Sequence, residues 1–403
     1  MKKIIATVLC ITVSIIVFAG CSNKDENTDI GADIGATEYP YGDAETPPED
    51  VGAPSEEPSP EDTEDSANQG SIDFDAAFTA FTPDTVMIKA GEYTVTWAEF
   101  FFFLHGNINT LLSSLGEIPN WSDVLYADMT YADFVLNYSV DSALMYKAIE
   151  YGAKLSGVTL SAEDFDYLRG EYEYSVELYG NEEEFLKLIW EQDGCCSKEL
   201  LDYLVSTGYL ASLIFGELYG ESGEKLSDEE AAELTADDGF LMAWHILRMK
   251  PEEGEDTARA EIEDILKQLN DYSGDDFDSF FNELMYEHTE DQDGLSAYPY
   301  GYLFQDGDMV ESFYEACSEL PIGEYSGIVE SDYGYHIVYR IPINYDVVPF
   351  MLSKQGDYRS LRSYVAYNLF DLELLKWQGS LEPEFSPEYE SIDMAVIFNL
   401  GQN

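Results

Sequence analysis

The amino-acid sequence predicts an α+β fold, in which a mostly helical region precedes a region of mixed strands and helices. Helix starts recur between residues 81 and 235, where capping residues such as Thr96 and Ser227 precede acidic first turns and apolar residues at helical spacing. From residue 240 onward, β-type runs such as 240–249 and 336–341 alternate with helical patterns. The chain is 45% hydrophobic, which is enough to build a sizeable core.

The first residues have the pattern of an export signal. Two lysines precede an apolar run over residues 4–19, which is shorter than the roughly 18 apolar residues of a membrane-spanning helix, so residues 1–20 are predicted to be a signal peptide. Residues 18–21 resemble the lipobox of bacterial lipoproteins. That resemblance implies acylation of Cys21 and a lipid-anchored, extracytoplasmic location on the outer face of the bacterial cell membrane. The alternative is an ordinary signal peptide with a chance cysteine.

The charge is strongly negative, at −62 from 81 acidic and 19 basic residues. This balance excludes nucleic acid as a partner, because phosphates need lysine and arginine contacts. It favours basic clients. Residues 21–80 are acidic and rich in proline and small residues, which predicts a disordered tether. We interpret it as a spacer, although acidic segments of this kind also bind partners.

Other parts of the sequence add elements but no further chemistry. Short β-type runs at 86–88 and 93–95 begin the helical domain, an apolar-rich helix at 358–377 lies within the C-terminal segment 344–403, and residues around 394–398 fit a strand. Cys195, Cys196 and Cys317 match neither a disulfide framework nor a zinc pattern. With only four histidines, no metal site is predicted, and no cofactor is expected.

Five segments in the C-terminal half carry a family resemblance. They are Ala243–Leu247, His288–Asp291, Gly307–Phe313, Leu320–Ser326 and Asp332–Ile337. Their order and spacing resemble those of parvulin-type (PpiC) peptidyl-prolyl isomerases, which predicts a parvulin-like domain over residues 236–343. The resemblance implies a four-stranded antiparallel sheet with surrounding helices.

The helical region 81–235 resembles, by pattern only, the chaperone-like part of PrsA- and SurA-type foldases. In that family the C-terminal segment packs on the N-terminal domain, so the resemblance implies the same arrangement for residues 344–403. PrsA-type proteins often dimerise through the helical domain, and a homodimer is therefore compatible with the resemblance. The implied partners are unfolded or nascent secreted polypeptides.

The chemistry of prolyl isomerisation agrees with the residues of these motifs. Rotation about an X-Pro bond crosses a barrier of about 20 kcal/mol without breaking a bond, so an apolar pocket and fixed polar groups are needed rather than a nucleophile. Met309 and Phe313, four residues apart on a predicted helix, would form the proline pocket.

Four polar residues of the motifs are the predicted catalytic group. His245 and His336 would lie on adjacent central strands and share a hydrogen-bond chain with Thr289 and Asp291. By resemblance, Asp291 faces the substrate carbonyl. The pair of histidines is expected to set hydrogen bonding and shape rather than to shuttle protons.

The chain departs from the family at two positions near the predicted pocket. The usual glycine-rich turn is replaced by residues 296–302, so the leucine of the pocket falls on Tyr300. Tyr333 replaces a small residue, and both tyrosines are predicted to contact substrate. His245, His336, Met309 and Phe313 also have a plainer interpretation as core residues.

Three functions remain open from the sequence. The first is a membrane-anchored foldase that is an active peptidyl-prolyl cis-trans isomerase. The second is a catalytically inactive parvulin-like holdase that binds clients through exposed aromatic residues. The third is a solute-binding lipoprotein, which the helices without strands between residues 96 and 235 disfavour.

Overall fold

The computed structural model describes residues 72–251 and 257–398. Strands in this part of the chain are β1 Val86–Ala90, β2 Tyr93–Thr96, β3 Val124–Tyr126, β4 Met129–Thr130, β5 Leu241–Met249, β6 Tyr302–Phe304, β7 Val329–Glu330, β8 Gly334–Ile341 and β9 Pro383–Phe385. Helices are α1 Phe74–Phe78, α2 Trp97–Leu115, α3 Tyr131–Ser156, α4 Ala162–Leu178, α5 Glu182–Asp193, α6 Lys198–Tyr219, α7 Asp228–Leu234, α8 Ala258–Asp271, α9 Phe277–His288, α10 Gln292–Ala297, α11 Glu311–Glu319, α12 Phe350–Lys354, α13 Leu361–Gly379, α14 Pro387–Glu390 and α15 Met394–Ile397. The predicted α+β class is confirmed.

The chain divides into two compact units. The first contains the described residues of 1–144, 169–205 and 382–403, and the second contains 145–168 and 206–381. In the first unit, β1 pairs antiparallel with both β2 and β9. Thr96 caps α2 through a capping box with Glu99, as the sequence predicts. The α2 face then buries Trp97, Phe100 and Phe101.

The second unit contains a four-stranded antiparallel sheet in the order β6-β5-β8-β7. The central pair β5 and β8 is in register from Met242 opposite Ile341 to Met249 opposite Gly334. The burial of both strands is nearly continuous, because helices cover both faces of the sheet. This confirms the predicted four-stranded sheet.

The two faces of this sheet have different cores. One face, which includes Met242, Ile246 and Ile337, packs on α8, α9 and the first turns of α13. The other face carries Ala243 and Val338 and packs on α11 through Phe313 and Cys317. Side chains alternate along a strand, so His245 and His336 lie on this second face, which we call the site face.

Several local predictions differ from the structure. The segment at 394–398 is a helical turn rather than a strand, since the Asp393 side chain caps it by accepting from the Val396 N–H. Helix α11 begins only at Glu311, so Met309 precedes it and the pair with Phe313 is not a helical i, i+4 pair. Helix α1 lies within the range predicted as tether.

The predicted signal peptide, Cys21 and most of the predicted tether lie outside the described residues. Among the residues that are described, no helix has both the length and the apolar character needed to span a membrane. The domain boundaries 81–235, 236–343 and 344–403 stay a prediction.

Candidate functional site

The site face brings the two predicted histidines together. In the β5–β8 register, His245 stands opposite Val338 and Leu247 stands opposite His336, so the imidazoles are diagonal neighbours on the same face. Their Nδ1 atoms are 3.3 Å apart, and the rings stack with centroids 5.5 Å apart. Both side chains are buried.

Asp291 extends this pair at one end. It lies in the short connection between α9 and α10, immediately before α10 begins. Its side chain caps α10 by accepting from the Gly294 N–H. The other carboxylate oxygen, Oδ2, lies 2.9 Å from His245 Nε2. The hydrogen bond from His245 is the main cause that lowers the pKa of Asp291 to about 2, against the opposing effect of partial burial. Asp291 is therefore a carboxylate at neutral pH.

Ser331 closes the other end of the chain of hydrogen bonds. Its Oγ lies 2.7 Å from His336 Nε2 and also accepts the backbone N–H of Tyr333. Burial, and to a smaller extent the neighbouring His245, lower the pKa of His336 to about 3. His336 is therefore a neutral imidazole.

Asp291, His245, His336 and Ser331 form a hydrogen-bonded line. One assignment of the protons gives every polar hydrogen along this line an acceptor. The Asp291 carboxylate only accepts, so His245 Nε2 carries a proton. His336 Nδ1 then donates to His245 Nδ1, and Ser331 Oγ donates to His336 Nε2. The opposite order would require a buried imidazolium and would leave the Ser331 hydroxyl hydrogen without an acceptor along this line.

Phe313 forms an apolar wall beside the histidines. Its ring meets His245 and His336 edge-on at centroid distances of 5.3 and 5.7 Å, and it is only 3% exposed. Met309 packs on the same cluster. The structure thus places Phe313 against both imidazoles and Met309 in the apolar cluster that contains Phe313. Helical spacing does not connect the two residues, because α11 begins after Met309.

The other predicted site residues, Thr289, Tyr300 and Tyr333, differ in their exposure to solvent. Thr289 is buried, and its hydroxyl accepts from the backbone N–H of Leu247 and of Asp291, so it contacts neither imidazole through a hydrogen bond. Tyr300 and Tyr333 are each 66% exposed. Tyr300 contributes its carbonyl to the Trp244 indole N–H.

Two polar residues of the site were missed from the sequence. Ser331 ends the hydrogen-bonded line, and Tyr302 donates its hydroxyl to Asp291 Oδ2 at 2.7 Å. β6 is a three-residue strand of large apolar and aromatic residues, so its sequence contains no alternation that would distinguish Tyr302. A small hollow beside Asp291 is lined by Trp244, Tyr298 and Tyr302, and neither Met309 nor Phe313 lines it.

The basic side chains near this end of the sheet are paired with acids. Arg248 contacts Glu261 and lies 3.5 Å from Glu290, while Lys250 lies 2.7 Å from Glu330. A phosphate on a substrate would therefore have to compete with carboxylates for these cations.

This sheet and its buried pair of histidines define a parvulin-type domain. Residues 245–341 match the family model described as Rotamase, the PPIC-type PPIASE domain. This match confirms the predicted resemblance of the region to parvulin-type (PpiC) peptidyl-prolyl isomerases.

Solved structures similar to this chain come from bacterial foldases and chaperones. PrsA from Bacillus subtilis is 18% identical, with 80% of this chain and 100% of that chain covered and a TM-score of 0.24. The peptidylprolyl isomerase PrsA from Bacillus cereus is 14% identical, with 67% and 96% covered and a TM-score of 0.28. A SurA-like chaperone from Campylobacter jejuni is 18% identical, with 60% and 94% covered and a TM-score of 0.22. No curated protein sequence matches the chain.

Proposed function

We propose that this chain is an extracytoplasmic foldase that catalyses cis/trans isomerisation of X-Pro bonds in secreted polypeptides. The observation that carries the proposal is the hydrogen-bonded line from Asp291 through His245 and His336 to Ser331, beside the buried ring of Phe313. The match of residues 245–341 to the PPIC-type PPIASE domain supports the same reaction.

The reaction needs a site that favours the twisted amide over the planar one. In the planar amide, resonance gives the C–N bond double-bond character and places negative charge on the carbonyl oxygen. Twisting removes this charge from the oxygen. An anion fixed near that oxygen therefore repels the planar state more than the twisted state, and only such a difference accelerates the rotation.

Asp291 is the anion in this proposal. Its side chain is about a quarter exposed, so it stays accessible from solvent, and its low pKa keeps it charged across the physiological range. His245 holds the carboxylate in place through a hydrogen bond, and the neutral His336 in turn supports His245. Because His336 stays neutral, the pair does not need to move a proton during the rotation.

Apolar residues supply the second requirement, which is a dry surface for the proline ring. Phe313 packs against both imidazoles, Met309 belongs to the same apolar cluster as Phe313, and both would contact the ring. Tyr300 and Tyr333 are exposed and would contact residues that flank the proline. Thr289 supports the site because its hydroxyl accepts from the backbone N–H groups of Leu247 and Asp291, rather than by contacting substrate.

The foldase context rests on the N-terminus and on the similar proteins. An acylated Cys21 would anchor the chain to the outer face of the membrane, and the acidic segment after it would act as a spacer. PrsA from Streptococcus pneumoniae is described as a foldase protein, and it is 15% identical to this chain. Unfolded or nascent secreted polypeptides are the proposed clients, and a homodimer is compatible with this assignment.

Isomerisation of a short Ala-Pro peptide tests the catalytic part. Asp291→Asn keeps the shape of the side chain but removes its charge, and we expect kcat/KM to fall by roughly tenfold or more. His288→Ala is the matched control, because His288 is half-buried in the same domain and its side chain lies outside the hydrogen-bonded line. Equal activity of Asp291→Asn and the parent chain, with both folded by circular dichroism, would refute the assigned role.

A holdase without isomerase activity is the second candidate. The observation in its favour is exposed apolar surface in the first unit, where Val124 and Tyr126 in the β3–β4 hairpin are 59% and 77% exposed. Refolding of a proline-limited client separates the two functions. A foldase would accelerate the slow phase, whereas a holdase would suppress aggregation and leave the slow phase unchanged.

A further inference from the structure

Tyr302 occupies a defined place on the site face. In the β5–β6 register it stands opposite Ala243, so its side chain is on the same face as His245, which follows two residues later on β5. The Tyr302 ring meets the His245 ring edge-on at a centroid distance of 5.5 Å. Its hydroxyl lies 2.7 Å from Asp291 Oδ2, the same oxygen that contacts His245 Nε2 at 2.9 Å.

We propose that Tyr302 is a positioning residue that holds the Asp291 carboxylate against His245 and so keeps the proton on His245 Nε2. The inference rests on the proposed function, since Asp291 is the anion of the isomerase site. Tyr302 acts through Asp291 and needs no contact with the substrate.

The groups around Asp291 leave little freedom for its carboxylate. Oδ1 accepts the Gly294 N–H at 3.2 Å, and Oδ2 accepts both the His245 Nε2–H and the Tyr302 hydroxyl. Partial burial and the adjacent carboxylate raise the pKa of Tyr302, so the phenol stays protonated and remains a donor. Three donors on one carboxylate fix both its charge and its rotation.

Two glycines leave the space that this arrangement needs. A Cβ at Gly294 would collide with the Tyr302 hydroxyl and with Asp291 Oδ2. Gly301, which precedes Tyr302, has a φ of +103°, and a Cβ there would lie 2.8 Å from the Trp244 ring. The backbone on both sides of the contact is therefore compatible with the tyrosine only because side chains are missing there.

The rings next to Tyr302 provide a matched control. Tyr298 packs on Tyr302 at a centroid distance of 4.6 Å and on Phe350 at 5.5 Å, but its hydroxyl pairs with Ser353 Oγ at 2.9 Å instead of with Asp291. Tyr302→Phe and Tyr298→Phe each remove one hydroxyl from the same aromatic cluster and keep the ring. Only the first removes a hydrogen bond to the proposed anion.

The experiment uses the full chain with 15N-labelled histidine and the two variants. Because the chain has only four histidines, the ring N–H signal of His245 can be assigned with a His245→Ala variant. We measure the exchange of the His245 Nε2 proton with water at neutral pH, and kcat and KM for an Ala-Pro peptide. A lost hydrogen bond to a charged group corresponds to a factor of about ten in exchange rate.

We expect Tyr302→Phe to speed exchange of the His245 Nε2 proton about tenfold and to lower kcat with little change in KM. Tyr298→Phe should leave the exchange rate of the His245 Nε2 proton at the parental value. The proposal is refuted if Tyr302→Phe exchanges at the parental rate, or if Tyr298→Phe has the same effect, because packing would then explain both. A parent chain without isomerase activity would refute the proposed function, and the exchange rates alone would then decide the role of Tyr302.

Discussion

The buried histidines make the stability of the chain sensitive to mild acid. His336 is 4% exposed, and burial followed by the proximity of His245 lowers its pKa to about 3, from an ordinary value of 6.5. The unfolded chain therefore binds a proton below pH 6.5 that the folded chain excludes. The contribution of His336 to the free energy of unfolding is therefore fully present above pH 6.5 and is lost as the pH falls toward 3.

The magnitude at pH 5.0 follows from this difference. That pH lies about 1.5 units below 6.5 and is still above the pKa of folded His336. Relative to pH values above 6.5, this histidine therefore lowers the free energy of unfolding by about 2 kcal/mol. His105 in the first unit is 1% exposed, and burial lowers its pKa to about 4. It carries a similar cost of about 2 kcal/mol at pH 5.0.

Urea unfolding at pH 7.5 and pH 5.0 measures the effect. His336→Gln and His105→Gln should each reduce the loss between the two pH values by about 2 kcal/mol relative to the parent chain, and the double variant by about 4 kcal/mol. Comparing pH differences cancels the contribution of carboxyl groups that parent and variant share, and Asp291, with a pKa of about 2, does not titrate in this interval. The reasoning fails if His336→Gln loses as much stability as the parent.

Two further predictions concern stability. Gly334 has a φ of +152°, and a Cβ there would collide with the Arg248 carbonyl oxygen, so Gly334→Ala should destabilise the chain in urea by about 1–3 kcal/mol. Gly327→Ala, where the space is open, should have an effect below about 1 kcal/mol, and equal losses would contradict this account. Buried Arg362 bonds Asp346, Asp228 and the Leu226 carbonyl, so Arg362→Lys should cost about 2 kcal/mol in the same assay. Arg359→Lys alters a more exposed pair with Asp357 and should cost less than about 1 kcal/mol, so the reverse ranking would refute the role of Arg362.

Local signals explain why much of the fold was predictable. The capping boxes of α2 and α7 are written in four consecutive residues each, and both appear in the structure with Thr96 and Ser227 as the caps. The pairing of β9 with β1 joins residues almost 300 positions apart, and no local sequence pattern predicts it. The β3–β4 hairpin was also missed, because its turn uses Ala127 at a φ of +49° rather than glycine or asparagine.

Some residues of the candidate site could likewise be predicted from the sequence, and others could not. His245, Asp291 and His336 lie in segments that resemble a family, so their proximity could be expected from the sequence. Tyr302 and Ser331 join them through the register of β6 with β5 and through the turn before β8, and neither position carries a distinctive local motif. The helical spacing assumed for Met309 and Phe313 was wrong, since α11 begins after Met309.

The geometry of the site depends on the register of the central sheet. Side chains alternate with a period of two, so a slip of one residue between β5 and β8 would remove one imidazole from the site face and replace it with a residue from the opposite core. Gly334 stands opposite Met249 at the end of this pairing, where its φ of +152° allows the close approach to the Arg248 carbonyl. Gly301 allows a similarly close approach to Ala243 where β6 begins. Two glycines at the ends of the strands thus permit the register that brings His245, His336 and Tyr302 onto one face.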